Sequence, residues 1–309
     1  MAILRIPTQK EIKRYATLFN ILVKYGFEDV LSHSPILKFI PNKYLEEHPE
    51  TKINLSFTKY ERIRMVLEEL GPTYIKLGQI FSTREDLLPL ELIEELEKLQ
   101  DHVPKLKDFD VLNTVEEELG IDKFGYFATI ELEPLAAASL AQVHRAQLIN
   151  GEAVILKIQR PHITEVIEAD LMVMKQVADS LEKYSSQAKA FQPIRIIESF
   201  ERSIKEELQF AREIGNTERF AKNFVGNAFI HVPDIYKELS TDKIICMELI
   251  DGIKVSNIEA LKAANINPKA VAKIGVVFYI EQILDHGFFH ADPHPGNIFI
   301  IPKTEKYVF

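Results

Sequence analysis

His290-Ala291-Asp292-Pro293-His294-Pro295-Gly296-Asn297 lies between an apolar run that ends before Asp285 and the strand-like Ile298-Phe299-Ile300-Ile301. Its prolines and glycine keep it from continuing as helix. The carboxylate of Asp292 and the carboxamide of Asn297 therefore stand five residues apart in a loop. That pairing suits phosphoryl transfer, in which the first residue accepts or orients the acceptor's proton and the Asn oxygen binds the metal that neutralises the phosphates. A metal centre competes, because His290, Asp292 and His294 offer two imidazoles and a carboxylate at alternate positions.

The composition narrows the classes. A chain of 309 residues with 46% hydrophobic and 27% charged content can bury a real core and hold one large domain or two ordinary ones. A net charge of −9 carries no electrostatic footprint for nucleic acid. The single cysteine, Cys246, sits in the apolar run Ile244-Ile245-Cys246-Met247 and reads as core. No disulfide can form within the chain, which fits a reducing, cytoplasmic location. No secretory signal and no apolar run long enough to span a bilayer is visible. Peripheral attachment to the inner membrane stays open.

Helical periodicity dominates the first part. Residues 9–25 repeat apolar positions at Ile12, Tyr15, Phe19 and Leu22/Val23, with Lys10, Lys13, Arg14 and Lys24 elsewhere. This is an amphipathic helix, packed on its neighbours or lying at an anionic membrane surface. Residues 31–57 carry Pro35, Pro41 and Pro49 without a period and read as a connection. A helix over 58–70 stops at Gly71-Pro72, and a new one begins there, because proline is tolerated in a first turn. It places Lys76 and Gln79 on one face, able to reach a common polar partner. Further helices are expected over 86–99 and 110–119, the latter closed by Gly120.

After Gly125 the period becomes that of strands, over 126–133, 142–149 and 152–159, the last two joined by the hairpin signal Asn150-Gly151. Between the first two lies the small-residue turn Leu135-Ala136-Ala137-Ala138-Ser139-Leu140-Ala141-Gln142, where backbone can approach a ligand closely. The third strand places Lys157 in the apolar run Val154-Ile155-Leu156-Lys157-Ile158, and a lysine buried there must find an anion. Candidate helices over 164–181 and 195–223 follow. On a continuous second helix Glu206 and Glu213 face one way and Glu207 points aside. Strands over 228–232 and 243–249 lead to the hinge-like turn Ile250-Asp251-Gly252, and Asn267 caps a helix that runs to Leu284. Strand, small-residue turn, strand, hairpin and a strand with a central lysine is the order of a kinase nucleotide lobe.

Together these pieces resemble the UbiB family of atypical kinases, which includes the eukaryotic coenzyme Q kinase-like proteins. Lys76-Leu77-Gly78-Gln79 is similar to its K-x-G-Q motif, Leu135 through Val143 to its alanine-rich loop, and His290 through Asn297 to its catalytic loop. The resemblance implies an α+β, protein-kinase-like bilobal fold. Residues 1–125 would form a helical extension, 126–250 the N-lobe, and 251–309 the start of an incomplete C-lobe. It implies ATP and Mg2+ as cofactors and a role supporting isoprenoid quinone biosynthesis, through ATP hydrolysis or phosphorylation of a small or lipid-like substrate. Quinone-biosynthesis proteins or lipid precursors would be partners, and protein kinase activity is not expected.

The resemblance also implies residue roles. Lys157 would contact the phosphates and pair with Glu213, Asp292 would be catalytic, and Asn297 would bind metal. Leu135, Ala136, Ala137, Ala138, Ser139, Leu140, Ala141, Gln142 and Val143 would contact nucleotide, with Glu248 in the strand leading to the hinge. Lys76, Gln79 and Glu207 would belong to an occluding lid. Two departures stand out. The family's E-x-D motif reads Glu207-Leu208-Gln209, losing a charge. The sequence also stops before an Asp-Phe-Gly segment whose aspartate is a second metal ligand, so the expectation is a truncated or split member with weakened Mg2+ binding. The rivals are a small-molecule phosphotransferase of the aminoglycoside or choline kinase type, a nucleotide-dependent scaffold without phosphoryl transfer, and a metal hydrolase built on His290, Asp292 and His294.

Overall fold

The computed structural model describes residues 9–27, 57–99, 105–106, 109–184, 189–291, 298–302, 304 and 306–308. The chain divides into two compact units. The first contains residues 1–109, 136–142 and 159–208, the second 110–135, 143–158 and 209–309.

The first unit is helical. Helix α1 (Gln9–Lys24) lies against α2 (Lys59–Leu70) and α7 (Ile163–Tyr184), and α8 (Pro193–Glu207) lies along α7. The amphipathic α1 buries Tyr15, Leu18, Ile21, Leu22 and Tyr25 in the core of this unit, while Ile12, Phe19 and Val23 are only half-buried. The expected stripe was therefore centred slightly off the buried face, and that face packs on protein. Helix α2 opens with a capping box: Glu61 N–H donates to Thr58 Oγ1 at 3.2 Å and Thr58 N–H to Glu61 Oε2 at 2.7 Å. Gly71, at φ +98°, ends α2 and lets Pro72 open α3 (Pro72–Phe81), as the sequence predicts. Helix α4 (Leu90–Glu97) then packs on α2 and α3 through Leu92 and Leu96, and Leu99 beyond its end joins the same cluster. The connection expected over 31–57 lies outside the described residues except for Phe57.

The second unit begins with α5 (Val111–Leu119), capped by Asp110, and a single turn, α6 (Ile121–Phe124). The expected strands form as β1 (Phe127–Ile130), β3 (Ala141–Leu148) and β4 (Ala153–Gln159), the first and third trimmed and the second beginning and ending one residue earlier than expected. They lie in the order β1-β3-β4-β6, with β6 (Ile244–Glu248) antiparallel to β4. The small-residue turn holds one extra short strand, β2 (Ala136–Ala137), and Ala138 N–H donates to Ala141 C=O at 2.9 Å.

After α9 (Phe210–Asn223) come β5 (Ile230–His231), β7 (Ile253–Lys254), α10 (Ile258–Ala263) and α11 (Pro268–Leu284), the last capped by Asn267 as expected. With β8 (Phe299–Ile301) and β9 (Lys306–Val308), β5 and β7 form a four-stranded sheet in the order β5-β9-β8-β7. Phe220, Phe224 and Phe278 pack edge to face or tilted beneath it, with ring centroids 4.9–5.8 Å apart. Cys246 is fully buried in β6, and burial pushes its thiol up to about 12, so it is core rather than a reactive group. None of the described helices is long and apolar enough to cross a membrane.

Candidate functional site

In β4, Val154, Leu156 and Ile158 are fully buried, so alternation turns Ile155 and Lys157 to the other face of the strand. Lys157 sits opposite Ile245 of β6, with 26% of its side chain exposed. Its ammonium donates to both carboxylate oxygens of Glu213 at 2.7 Å. It also lies 5.2 Å from the ring centre of Phe210. Phe210, at the first position of α9, is buried at 2% exposure and anchors the turn that carries Glu213. A cation fixed by a carboxylate and an aromatic ring, yet still reached by solvent, is suited to meet an anionic ligand.

That arrangement depends on a break the sequence does not predict. The single helix expected over 195–223 is two, ending at Glu207 and restarting at Phe210. Gln209 has φ −90° and ψ +87°, and its carbonyl accepts from Arg212 N–H at 2.9 Å to start the new helix. Leu208 C=O, freed at the helix end, accepts from Gln159 Nε2 at 2.6 Å. The expectation that Glu206 and Glu213 share one helix face is thereby overturned. Glu207 ends α8 and pairs with Lys76 at 2.7 Å in the first unit, whereas Glu213 begins α9 in the second. Gln209 is exposed and makes no side-chain cap to α9.

In the K-x-G-Q segment, Gln79 Nε2 donates to Leu99 C=O at 2.9 Å, so Lys76 and Gln79 hold different partners. Gly78 has a packing reason. A Cβ there would stand 2.4 Å from Leu99 Cδ1 and 3.0 Å from Leu67 Cδ1. Gly78→Ala is expected to cost about 1–2 kcal/mol, the overpacking penalty less the gain from better helix propensity. A denaturant titration checks this, and an unchanged midpoint would mean that the leucines make room.

The alanine-rich segment is half open and half anchored. Leu135, Ala136 and Ala138 are exposed and Ala137 is half-buried, while Ser139, Leu140, Ala141 and Gln142 are buried and Val143 is half-buried. Gln142 Oε1 accepts from Leu106 N–H at 2.6 Å, and Leu140 belongs to the helical core. Glu248, at the end of β6, holds His231 Nε2 at 2.8 Å and accepts from Asp234 N–H at 3.3 Å. Asp292 and Asn297 lie outside the described residues, as does His294 of the rival metal reading. The start of their loop is tethered to α11: His290 N–H donates to Gln282 Oε1 at 3.0 Å, and Tyr279 donates to His290 C=O at 3.1 Å. Among the described residues, no group of three or more His, Cys, Asp or Glu side chains is placed to hold a metal.

Residues 98–309 match a family model described as the ABC1 atypical kinase-like domain. The chain belongs to the ABC1 atypical kinase-like family. This agrees with the UbiB resemblance and with the mixed helix-and-sheet, kinase-like fold. "Probable protein kinase UbiB" of Pseudomonas aeruginosa (strain LESB58) is 37% identical over 308 residues, which cover 96% of this chain and 57% of that protein. The protein of the same name from Aliivibrio fischeri (strain ATCC 700601 / ES114) is 36% identical over 310 residues, covering 97% of this chain and 55% of that one. The chain thus spans little more than half the length of these relatives. A solved structure described as the complex of Rv3197 with erythromycin from Mycobacterium tuberculosis is similar at a TM-score of 0.55 and 26% identity. That likeness covers 79% of this chain and 61% of the other.

In this ABC1 chain, Phe210, Gln159, Gln282 and Tyr279 carry the geometry around the candidate residues, and sequence reasoning passed over all four. Phe210 stands three residues before Glu213 and Gln159 two after Lys157, so proximity to the candidates was the available signal. Nothing local marks Gln282 or Tyr279, which meet His290 only through the chain reversal after α11.

Proposed function

We propose that this chain binds ATP through Lys157 and supports isoprenoid quinone biosynthesis of the ubiquinone type, by ATP hydrolysis or by phosphoryl transfer to a small or lipid-like substrate. The observation that carries the reading is the Lys157–Glu213 pair, with the ammonium 2.7 Å from both carboxylate oxygens and still open to solvent. Such a fixed point charge fits a polyphosphate, because the carboxylate orients the ammonium without enclosing it. The names of the UbiB relatives support the quinone context.

Mg2+ bound with the triphosphate would neutralise charge on the transferring group. The oxygen donors Asp292 and Asn297 have the chemistry that this ion takes, and Asn297 would hold it while Asp292 accepts or orients the acceptor's proton. Lys157 would hold phosphate oxygens, with Glu213 setting the direction of its ammonium. Lys76, Gln79 and Glu207 would form part of a lid, and the segment from Leu135 to Val143, with Glu248 near the hinge, would contact nucleotide.

The test is equilibrium binding of Mg·ATP by the full chain, followed by phosphate release with and without an isoprenoid quinone precursor in vesicles. Mg·ATP should bind. Any turnover should fall by about 100-fold or more in Asp292→Asn, with affinity retained. A chain that binds no adenine nucleotide would end the proposal.

A further inference from the structure

Arg219 stands on α9 beyond Glu213, and its guanidinium lies over the ring of Phe288, with the central carbon 4.1 Å from the ring centre. Both residues belong to the second unit. Arg219 is exposed, whereas Phe288 is half-buried against the aromatic cluster beneath the four-stranded sheet. An aromatic face holds a guanidinium in place without supplying an oxygen acceptor. Among the described residues no hydrogen bond or ion pair engages Arg219, and its neighbour Glu218 is taken by Lys237. The result is a planar, permanently charged fork fixed by packing, with its donors open to solvent.

We propose that Arg219 is a substrate-binding residue that takes an oxyanion, phosphate or carboxylate, carried by the phosphoryl acceptor. The inference rests on the phosphoryl-transfer reading of Asp292 and narrows its small or lipid-like acceptor to an anionic one. The chain itself bounds the separation. Asp292 follows Phe288 by four residues, which reach no further than about 14 Å. His290, between them, is tied to α11 by Gln282 and Tyr279. On α9 the six residues from Glu213 to Arg219 amount to about 9 Å along the axis and a third of a turn around it. With Arg219 pinned on Phe288 and Lys157 on Glu213, the two cations serve different anions. The paired N–H groups of a guanidinium match two oxygens of one phosphate or carboxylate, and the ring behind it strips part of its water shell, which strengthens that contact.

The experiment compares the full wild-type chain with Arg219→Gln and Arg219→Lys in equilibrium titrations with phenyl phosphate, benzoate and phenol, and with Mg·ATP in parallel. Wild type should bind both anions more tightly than phenol, and their order assigns phosphate or carboxylate. Arg219→Gln should weaken the preferred anion about tenfold, the scale of a lost charge-assisted hydrogen bond, and leave phenol and Mg·ATP as in wild type. Arg219→Lys should fall between the two, since it keeps the charge and loses the fork, and it carries the comparison if Arg219→Gln does not fold. Anion binding unchanged by both substitutions would overturn the assignment, as would a wild type that binds the anions no better than phenol. A parallel loss of Mg·ATP affinity would overturn the acceptor role by giving Arg219 to the nucleotide. Arg219-dependent anion binding in a chain whose turnover survives Asp292→Asn would end the phosphoryl-transfer reading, and the acceptor role with it, leaving a bare oxyanion site.

Discussion

Lys157→Ala is expected to remain folded and to bind Mg·ATP about 100-fold more weakly than wild type, the scale of losing one preorganised charged contact in a phosphate site. The two effects separate because the pair is partly exposed. Lys157 and Glu213 keep 26% and 35% of their side chains accessible, so their mutual attraction is screened by water. Adding the loss of the contact with the Phe210 ring, the folding cost should stay near 1–2 kcal/mol. Glu213 is then left unpaired but hydrated. Glu213→Gln should weaken binding less, about tenfold, because it removes the orienting charge and leaves the ammonium in place. Binding titrations beside thermal melts check both variants. A large fall in melting temperature with unchanged affinity would make the pair a structural ion pair only.

Asp170→Ala should have the largest effect on folding, a loss of about 3–5 kcal/mol. Asp170 lies fully buried in α7 and is held by three groups from elsewhere in its unit. Arg14 Nε contacts Oδ1, Arg14 Nη2 reaches Oδ2 at 3.1 Å, and Thr73 Oγ1 donates to Oδ2 at 2.6 Å. Arg14 Nη2 also donates to Leu70 C=O at 2.6 Å, so the network joins α1, the end of α2, the start of α3, and α7. Removing the carboxylate leaves a largely buried guanidinium without its counter-ion, which costs far more than the intact pair contributes.

The pH dependence has a definite sign. Burial raises the Asp170 carboxyl above its ordinary range despite the opposing pull of Arg14 and Thr73. The folded chain therefore holds that proton more tightly than the unfolded chain. The group's contribution to stability falls as pH climbs from the ordinary carboxylate value through the raised one. Asp170→Ala should lose that slope as well as the stability. Denaturant titrations across pH 4–7, compared with wild type, report both. A loss under about 1 kcal/mol would mean that Arg14 swings out to solvent.

The parts of the fold that depend on local pattern were legible in the sequence. The capping box at Thr58 and Glu61, the Gly71-Pro72 junction and the Asn150-Gly151 hairpin each act within a few residues, and their elements form where expected. The break at Leu208 was not legible, because no glycine or proline marks it. Its causes are distant: Gln159 holds Leu208 C=O, and Phe210 is drawn into the core. The choice of Glu213 over Glu206 or Glu207 came from the family motif, since spacing on one continuous helix does not choose between Glu206 and Glu213. The Arg14–Asp170 contact spans 156 positions and has no local signature. The strands β2 and β7 are two residues long, too short for alternation to show.

The central claim is that the ammonium of Lys157 meets the phosphates of a bound adenine nucleotide. It is tested most directly by treating the chain with an acyl phosphate of ATP and mapping the acylated lysine by mass spectrometry. An amine held beside the phosphates attacks the acyl carbonyl and releases the nucleotide, so the label marks the residue that touches them. The account predicts acylation at Lys157, suppressed by excess Mg·ATP. Labelling spread over surface lysines, unaffected by Mg·ATP and sparing Lys157, would contradict it.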